Sequence, residues 1–296
     1  MTKSLRAMLA GLIDYAGLFP PAQLPMQPSV DNYAAYRGGE DAWMLGRFVV
    51  PLARLEELEQ AVEESSSADG EEPWPLSVLA PPDAAAAEAL MRFDQRRDET
   101  GLTVSSLEIR VASPEEVERA LQLMPEEWEL FFEAAAGEEF QPIVEALAGT
   151  RGRAKIRTGG VTAEAFPRPA EVQAFFAACR AAGIPFKATA GLHHPICGRY
   201  RLTYEDDSPC ATMYGFANLF LAAALLHAGT LAPEDVSRLL VECDSMAFCF
   251  DDEGAQWHDA RITTAQLVEA RQSFCRSYGS CSFTEPIDDL RGLTWL

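Results

Sequence analysis

Val104-Ser-Ser-Leu-Glu-Ile-Arg-Val111, followed one residue later by Ser113-Pro-Glu-Glu116, carries the pattern that decides the fold. The first eight residues are rich in branched side chains and read as a strand. Ser113 is placed to cap a helix, and Pro114 takes its first position, where a missing N–H costs nothing. Glu115 and Glu116 then bring negative charge to the positive end of the helix dipole. A strand running straight into a capped helix is the unit of an α/β protein.

Working outward, the unit recurs along the chain. The other strand candidates are Gly11–Ala16, Met44–Val50, Pro75–Ala80, Trp128–Glu133, Arg153–Arg157, Pro185–Thr189 and Met246–Asp251, the last taken as the eighth. Helices fit between them. Pro82-Asp83 opens an alanine-rich one, and Arg168-Pro169-Ala-Glu171 opens another that ends at Gly183. Ala217–Gly229 is an apolar packed helix, and Ala232-Pro233-Glu-Asp235 starts a short extra one. Eight strand–helix units predict a single (β/α)8 barrel of the TIM type over residues 1–296, with an open doubly wound sheet as the alternative. No Gly-x-Gly-x-x-Gly follows the first strand, which argues against dinucleotide binding. Surplus length falls in Gly17–Pro28 after the first strand and in a long loop from His193 to Pro209 after the seventh, both expected over the C-terminal mouth. The polar stretch Glu64–Glu72 is expected as a flexible loop on the opposite face.

Composition narrows the function. A formal net charge of −21 and a pI near 4.5 argue against nucleic acid or an anionic membrane as the main partner. The chain has no apolar run of about 18 residues and no convincing secretory signal, so a cytoplasmic location is expected. Seven cysteines without a Cys-x-x-Cys pair read as reduced thiols.

Only three lysines occur, against 21 arginines, and two of them, Lys155 and Lys187, lie in strand-like segments. A buried lysine supplies what guanidinium cannot, an amine able to act as base or Schiff-base nucleophile. Side chains two apart share a face of a strand, so Glu108 pairs with Arg110, Lys155 with Arg157, and Lys187 with Thr189, while Glu133 ends its strand. Polar residues at the C-terminal ends of barrel strands read as site residues. Two amines on adjacent strands repel as ammonium ions, which is expected to lower the pKa of at least one. Glu108 or Glu133 would then move protons.

Lys155-Ile-Arg-Thr-Gly-Gly160, with Lys187-Ala-Thr-Ala-Gly191 beginning 32 residues after Lys155, resembles the two lysine strands of class I aldolases of the deoxyribose-phosphate aldolase type. In that family the first motif reads Lys-Thr-Ser-Thr-Gly. The resemblance implies Lys155 as the Schiff-base lysine, Lys187 as its electrostatic activator and Glu108 as the proton shuttle of a lyase acting on a small carbonyl compound. The acidic Phe250-Asp-Asp-Glu-Gly254, expected after the eighth strand, points away from a phosphorylated substrate. Arg110, Arg157, Thr189, His193, His194, Asp14 and Arg199 are the candidate substrate-binding residues for a carbonyl or polyol compound, Arg199 with Arg201 from the long loop. Adjacent histidines at a strand end point to opposite sides, so at most one of His193 and His194 is expected in the mouth.

No cofactor is expected under this reading. The alternative is a metal- or acid/base-dependent isomerase, epimerase or hydrolase on a sugar-like substrate. It would use His193, Glu133 and Asp14, with Asp251 as a further ligand of a divalent metal ion. A third reading is a non-catalytic ligand-binding barrel, in which both lysines are locked in ion pairs with no room above them. Homo-oligomerisation is left open.

Overall fold

The structure, a computed structural model, describes residues 1–65, 72–134 and 139–296. The strands are β1 (Ile13–Tyr15), β2 (Leu45–Pro51), β3 (Trp74–Leu79), β4 (Leu102–Val111), β5 (Glu129–Ala134), β6 (Arg153–Arg157), β7 (Phe186–Thr189), β8 (Gly198–Arg201), β9 (Cys210–Met213), β10 (Phe248–Phe250), β11 (Gly254–Trp257), β12 (Ala260–Thr263) and β13 (Cys275–Ser280). Eight of them close a barrel in the order β1-β13-β7-β6-β5-β4-β3-β2. Every barrel pair is parallel, and closure rules out the open doubly wound sheet.

The strand and helix of the unit that set the pattern form as read, with Ser113 at the N-cap position, although its side chain makes no capping hydrogen bond. β4 leads to a helix over Pro114–Leu123, and Glu116 accepts a hydrogen bond from the N–H of Ala112. Asp83 caps the helix Ala84–Asp94 by accepting from the N–H of Ala86, and the helix Pro169–Ala182 stops at Gly183 in the left-handed region. The apolar helix Phe216–Ala228 is buried along almost its whole length. No helix among the described residues is long and apolar enough to cross a membrane.

The eighth strand is not where the sequence put it. Phe248–Phe250 is an edge of a small antiparallel sheet with β11 and β12, and its phenylalanines pack against Trp295. Its apolar run reflects that satellite packing. The closing strand, Cys275-Arg-Ser-Tyr-Gly-Ser280, escapes an apolar filter because its inward positions are Arg276, Ser277 and Gly279. Tyr278 supplies its outward packing, stacking on Phe216 of the adjacent helix. The long loop after β7 carries the antiparallel hairpin β8–β9. The loop expected at Glu64–Glu72 falls largely on residues 66–71, outside the described residues.

Barrel interiors are usually filled by layers of branched apolar side chains. Here the inward positions are charged at two levels. At the N-terminal end Glu129 pairs with Arg47, Arg153 and Arg276. Toward the mouth stand Asp14, Glu108, Glu133, Lys155 and Lys187, all buried. Phe131 lies between the levels, with the Arg153 guanidinium 5.7 Å and the Lys187 ammonium 5.3 Å from its ring centroid. We expect Phe131→Ala to destabilise the fold by ~3–5 kcal/mol in urea unfolding, through the cavity it leaves. A loss under about 1 kcal/mol would show that the two levels tolerate direct contact.

Candidate active site

Strand alternation delivers the site. On β4, β5, β6 and β7 the inward positions near the C-terminal ends are Glu108, Glu133, Lys155 and Lys187. Parallel registration sets Lys155 beside Lys187 and beside Glu133. Lys187 Nζ lies 2.6 Å from Asp14 Oδ2 and 2.7 Å from Glu108 Oε1. Lys155 Nζ lies 2.7 Å from Glu108 Oε2 and 2.5 Å from Glu133 Oε2. Glu108 thus bridges the two lysines, one oxygen to each.

Hydroxyls complete the set. Ser77 donates to Glu108 Oε1 at 2.8 Å, Ser106 donates to Ser77, and Ser277 donates to Asp14 Oδ2 at 2.7 Å. The N–H of Arg47 donates to Asp14 Oδ1.

Charge counting limits one expectation. Mutual repulsion was to lower a lysine pKa, yet Lys187 is held between two carboxylates. Burial alone would lower the Lys187 pKa, but Asp14 and Glu108 outweigh it and hold it above its usual value. Burial would raise Glu108, and the ammonium groups of Lys155 and Lys187 instead hold it far below the usual carboxylate range. Asp14 and Glu133 are held low in the same way, by Lys187 with Arg47 and by Lys155 with Arg157.

Exposure separates the lysines. The Lys187 side chain is 0% exposed and lines no opening at the mouth, whereas Lys155, at 4%, borders two. One is a cavity of about 360 Å³ lined also by Pro20, Glu108, Arg157, Thr189, His193 and Cys281. The other, about 350 Å³, is lined also by Arg110 and Glu133. Room above Lys155 departs from the non-catalytic reading, although the ion pairs that reading required are present. Arg157 and Arg110 stand half-exposed at the rim, 3.2 and 3.5 Å from Glu133 Oε1. In the Thr-Gly-Gly motif, Gly159 has to be glycine, because a Cβ there would meet the Gly191 Cα at 2.8 Å.

Other expected residues fall differently. Asp14 does not reach the mouth as a substrate contact; it lies below, held by Lys187 and Ser277. Arg199 is exposed on the hairpin and lines neither mouth cavity, while its neighbour Arg201 borders a smaller one of about 240 Å³. His193 alone borders the Lys155 cavity, and both histidines line the smaller one. β7 ends at Thr189, and Ala190 and Gly191 take positive φ values of 65° and 73°, so strand alternation does not extend to His193. Asp251 is on the small sheet, paired with Arg261, far in sequence and topology from the barrel strands. The segment after the true closing strand is Cys281-Ser-Phe-Thr-Glu285, so the acidic loop after Phe250 carries no information about phosphate at the mouth.

His193, Glu133 and Asp14 are not brought to one centre. Glu133 is engaged by Lys155, Asp14 by Lys187, and His193 by Glu285 at 2.9 Å. Among the described residues no group of three or more His, Cys, Asp or Glu is arranged to hold a metal ion. His194 Nδ1 lies 2.6 Å from Asp289 Oδ2, and its ring stacks on Tyr200. Burial alone would lower the His193 pKa, but its hydrogen bonds to Cys281 and Glu285 raise it to about 10. Cys281, Tyr204 and Glu285 were missed by the sequence reading. Locating β13 would have found two of them, since they come directly after it.

No family model matches the chain, and no curated protein sequence does. Among solved structures, the spore cortex-lytic enzyme SleL of Bacillus cereus is similar at a TM-score of 0.40 and 12% identity, over 96% of this chain and 74% of that one. A likeness so distant says nothing of this chain's chemistry.

The buried carboxylates make stability depend on pH. With folded pKa values depressed, their contribution is present above the unfolded values near 4 and is lost as pH falls below them. Glu108→Gln leaves two buried ammonium groups short of a partner and should cost about 3–5 kcal/mol near neutral pH. In urea unfolding, the gap between wild type and Glu108→Gln should narrow between about pH 5 and about pH 3. A gap constant over that window would contradict the network.

Proposed function

We propose that the chain is a lyase-type enzyme in which the Lys155 amine forms a Schiff base with a small carbonyl compound, in the manner of class I aldolases. The observation that carries this reading is the position of Lys155. Lys155 borders a cavity of about 360 Å³, and its Nζ is flanked by two carboxylates able to take and return its proton.

In this scheme Glu133 or Glu108 accepts a proton from the Lys155 ammonium, and the free amine adds to the carbonyl carbon. The carbinolamine loses its hydroxyl as water, using the proton held by the same carboxyl, and an iminium remains. A carboxylate removes the hydroxyl proton of the more distant carbon, which leaves as an aldehyde as its carbon–carbon bond breaks into the iminium. The enamine carbon then takes up that proton, and water hydrolyses the new iminium to release the second carbonyl product and the Lys155 amine. Arg157, Arg110 and Thr189 at the rim suit the hydroxyl or carboxylate groups of the substrate. Lys187 is a positioning residue, because it holds Glu108 in place and touches no cavity at the mouth. The scheme calls for no cofactor.

Borohydride reduction in the presence of acetaldehyde, glycolaldehyde, glyceraldehyde or pyruvate tests the reading, with intact mass and peptide mapping as the readout. The expected result is an adduct on Lys155 with at least one carbonyl compound, absent in Lys155→Arg. An adduct confined to Lys3 or Lys187, or none with any compound, would sink the reading.

A further inference from the structure

The cavity that reaches Lys155 has a second reactive-looking wall. Cys281 directly follows β13, is 6% exposed, and lines the cavity together with Lys155 and His193. Its Sγ lies 3.9 Å from His193 Nε2, and His193 Nδ1 lies 2.9 Å from Glu285 Oε2. Tyr204 donates to the same Glu285 oxygen at 3.1 Å, and its hydroxyl is 3.7 Å from Cys281 Sγ. Thiol, imidazole and carboxylate therefore stand in line, with the carboxylate fixing the ring so that Nε2 faces the sulfur. A nucleophile, a base within reach and a third group orienting the base are the parts of an activated nucleophile.

A buried cysteine is more often a small inert hydrophobe. Cys275 shows what that looks like here: fully buried, its thiol is pushed up to about 11 by burial and donates to the backbone carbonyls of Phe220 and Ala270. Among the described residues, Cys281 is the one cysteine whose sulfur meets a histidine ring.

We propose that Cys281, His193 and Glu285 form a second nucleophilic centre in this cavity, which adds reversibly to small aldehydes. Near neutral pH His193 already holds at Nε2 the proton that the sulfur gives up, so the Cys281 thiolate forms a sulfur–carbon bond at the carbonyl carbon. The carbonyl π pair becomes an oxyanion, and His193 returns the proton to it, leaving a hemithioacetal. Atoms and electrons balance without an oxidant. The inference rests on the cavity and the triad and stands apart from the Lys155 reading.

The test is alkylation of the intact chain by iodoacetamide, with peptide mapping of all seven cysteines. Near pH 7, Cys281 should react at least about tenfold faster than the exposed Cys249 despite its burial. His193→Gln should abolish that advantage. Glycolaldehyde should protect Cys281, in Lys155→Met as well as in the wild type, and dialysis should restore its reactivity. Protection that persists in Lys155→Met separates this centre from a Schiff base at Lys155.

Should His193→Gln fail to fold, the wild-type pH profile decides. The titratable groups facing the sulfur are His193, Glu285, Tyr204 and Tyr15, and burial holds both tyrosines neutral there. The Cys281 rate should change less than about twofold between about pH 6 and about pH 8, whereas an ordinary thiol gains roughly tenfold per unit. A Cys281 no faster than Cys249, a rate unchanged in His193→Gln, an ordinary thiol profile, or no protection in Lys155→Met would each overturn the proposal.

Discussion

A carboxylate shared between two buried lysines governs the upper half of this barrel. Glu108 gives one oxygen to Lys187 and the other to Lys155, at 2.7 Å each, where little water can reach. An unpaired charge at that depth is strongly destabilising, so each group has to find partners, and the sequence supplies them strand by strand. Asp14 on β1 meets Lys187, Glu133 on β5 meets Lys155, and the serines on β3, β4 and β13 take up remaining lone pairs. A strand contributing an apolar residue at any one of these positions would strand its neighbour's charge.

The same network divides the lysines by depth. They are register partners on adjacent strands, yet Asp14 draws Lys187 into the barrel, while Glu133 holds Lys155 at the floor of the mouth. Lys187 becomes a fixed charge that fixes Glu108, and Lys155 is left where a small molecule can reach it. Activation by lysine–lysine repulsion does not reach Lys187, because Asp14 and Glu108 hold its pKa above the usual value. In the proposed scheme, proton acceptance by Glu108 and Glu133 takes its place. Beneath them, Phe131 keeps this set apart from the arginines gathered around Glu129.

Much of this was legible from residue types. Seven of the eight barrel strands carry branched or aromatic runs, and their Pro, Asp and Gly punctuation marks the helices. Period-two alternation placed Glu108, Lys155 and Lys187 on inward faces. The closing strand was not legible, because Arg276, Ser277 and Gly279 read as loop, while Phe248–Phe250 has the apolar look of a strand and serves a small outer sheet. That one misplacement hid Cys281 and Glu285, which become visible as mouth residues only once β13 is known to end at Ser280. Of the two histidines, His193 alone borders the Lys155 cavity, and both line the smaller one. Strand alternation stops at Thr189, and the left-handed turn at Ala190 and Gly191 re-aims both His193 and His194.

The central claim is that Lys187 is a locked ammonium and Lys155 the accessible amine. With three lysines in the chain, ¹⁵N-lysine labelling gives three side-chain NMR signals, assignable by single substitutions. On titration the Lys187 signal should keep its ammonium shift past the ordinary lysine value of about 10.4. When a reactive aldehyde is added, the Lys155 signal should move to the imine range while Lys187 stays unchanged. A Lys187 that loses its proton below the ordinary value, or that is itself the nitrogen converted to the imine, would contradict the account.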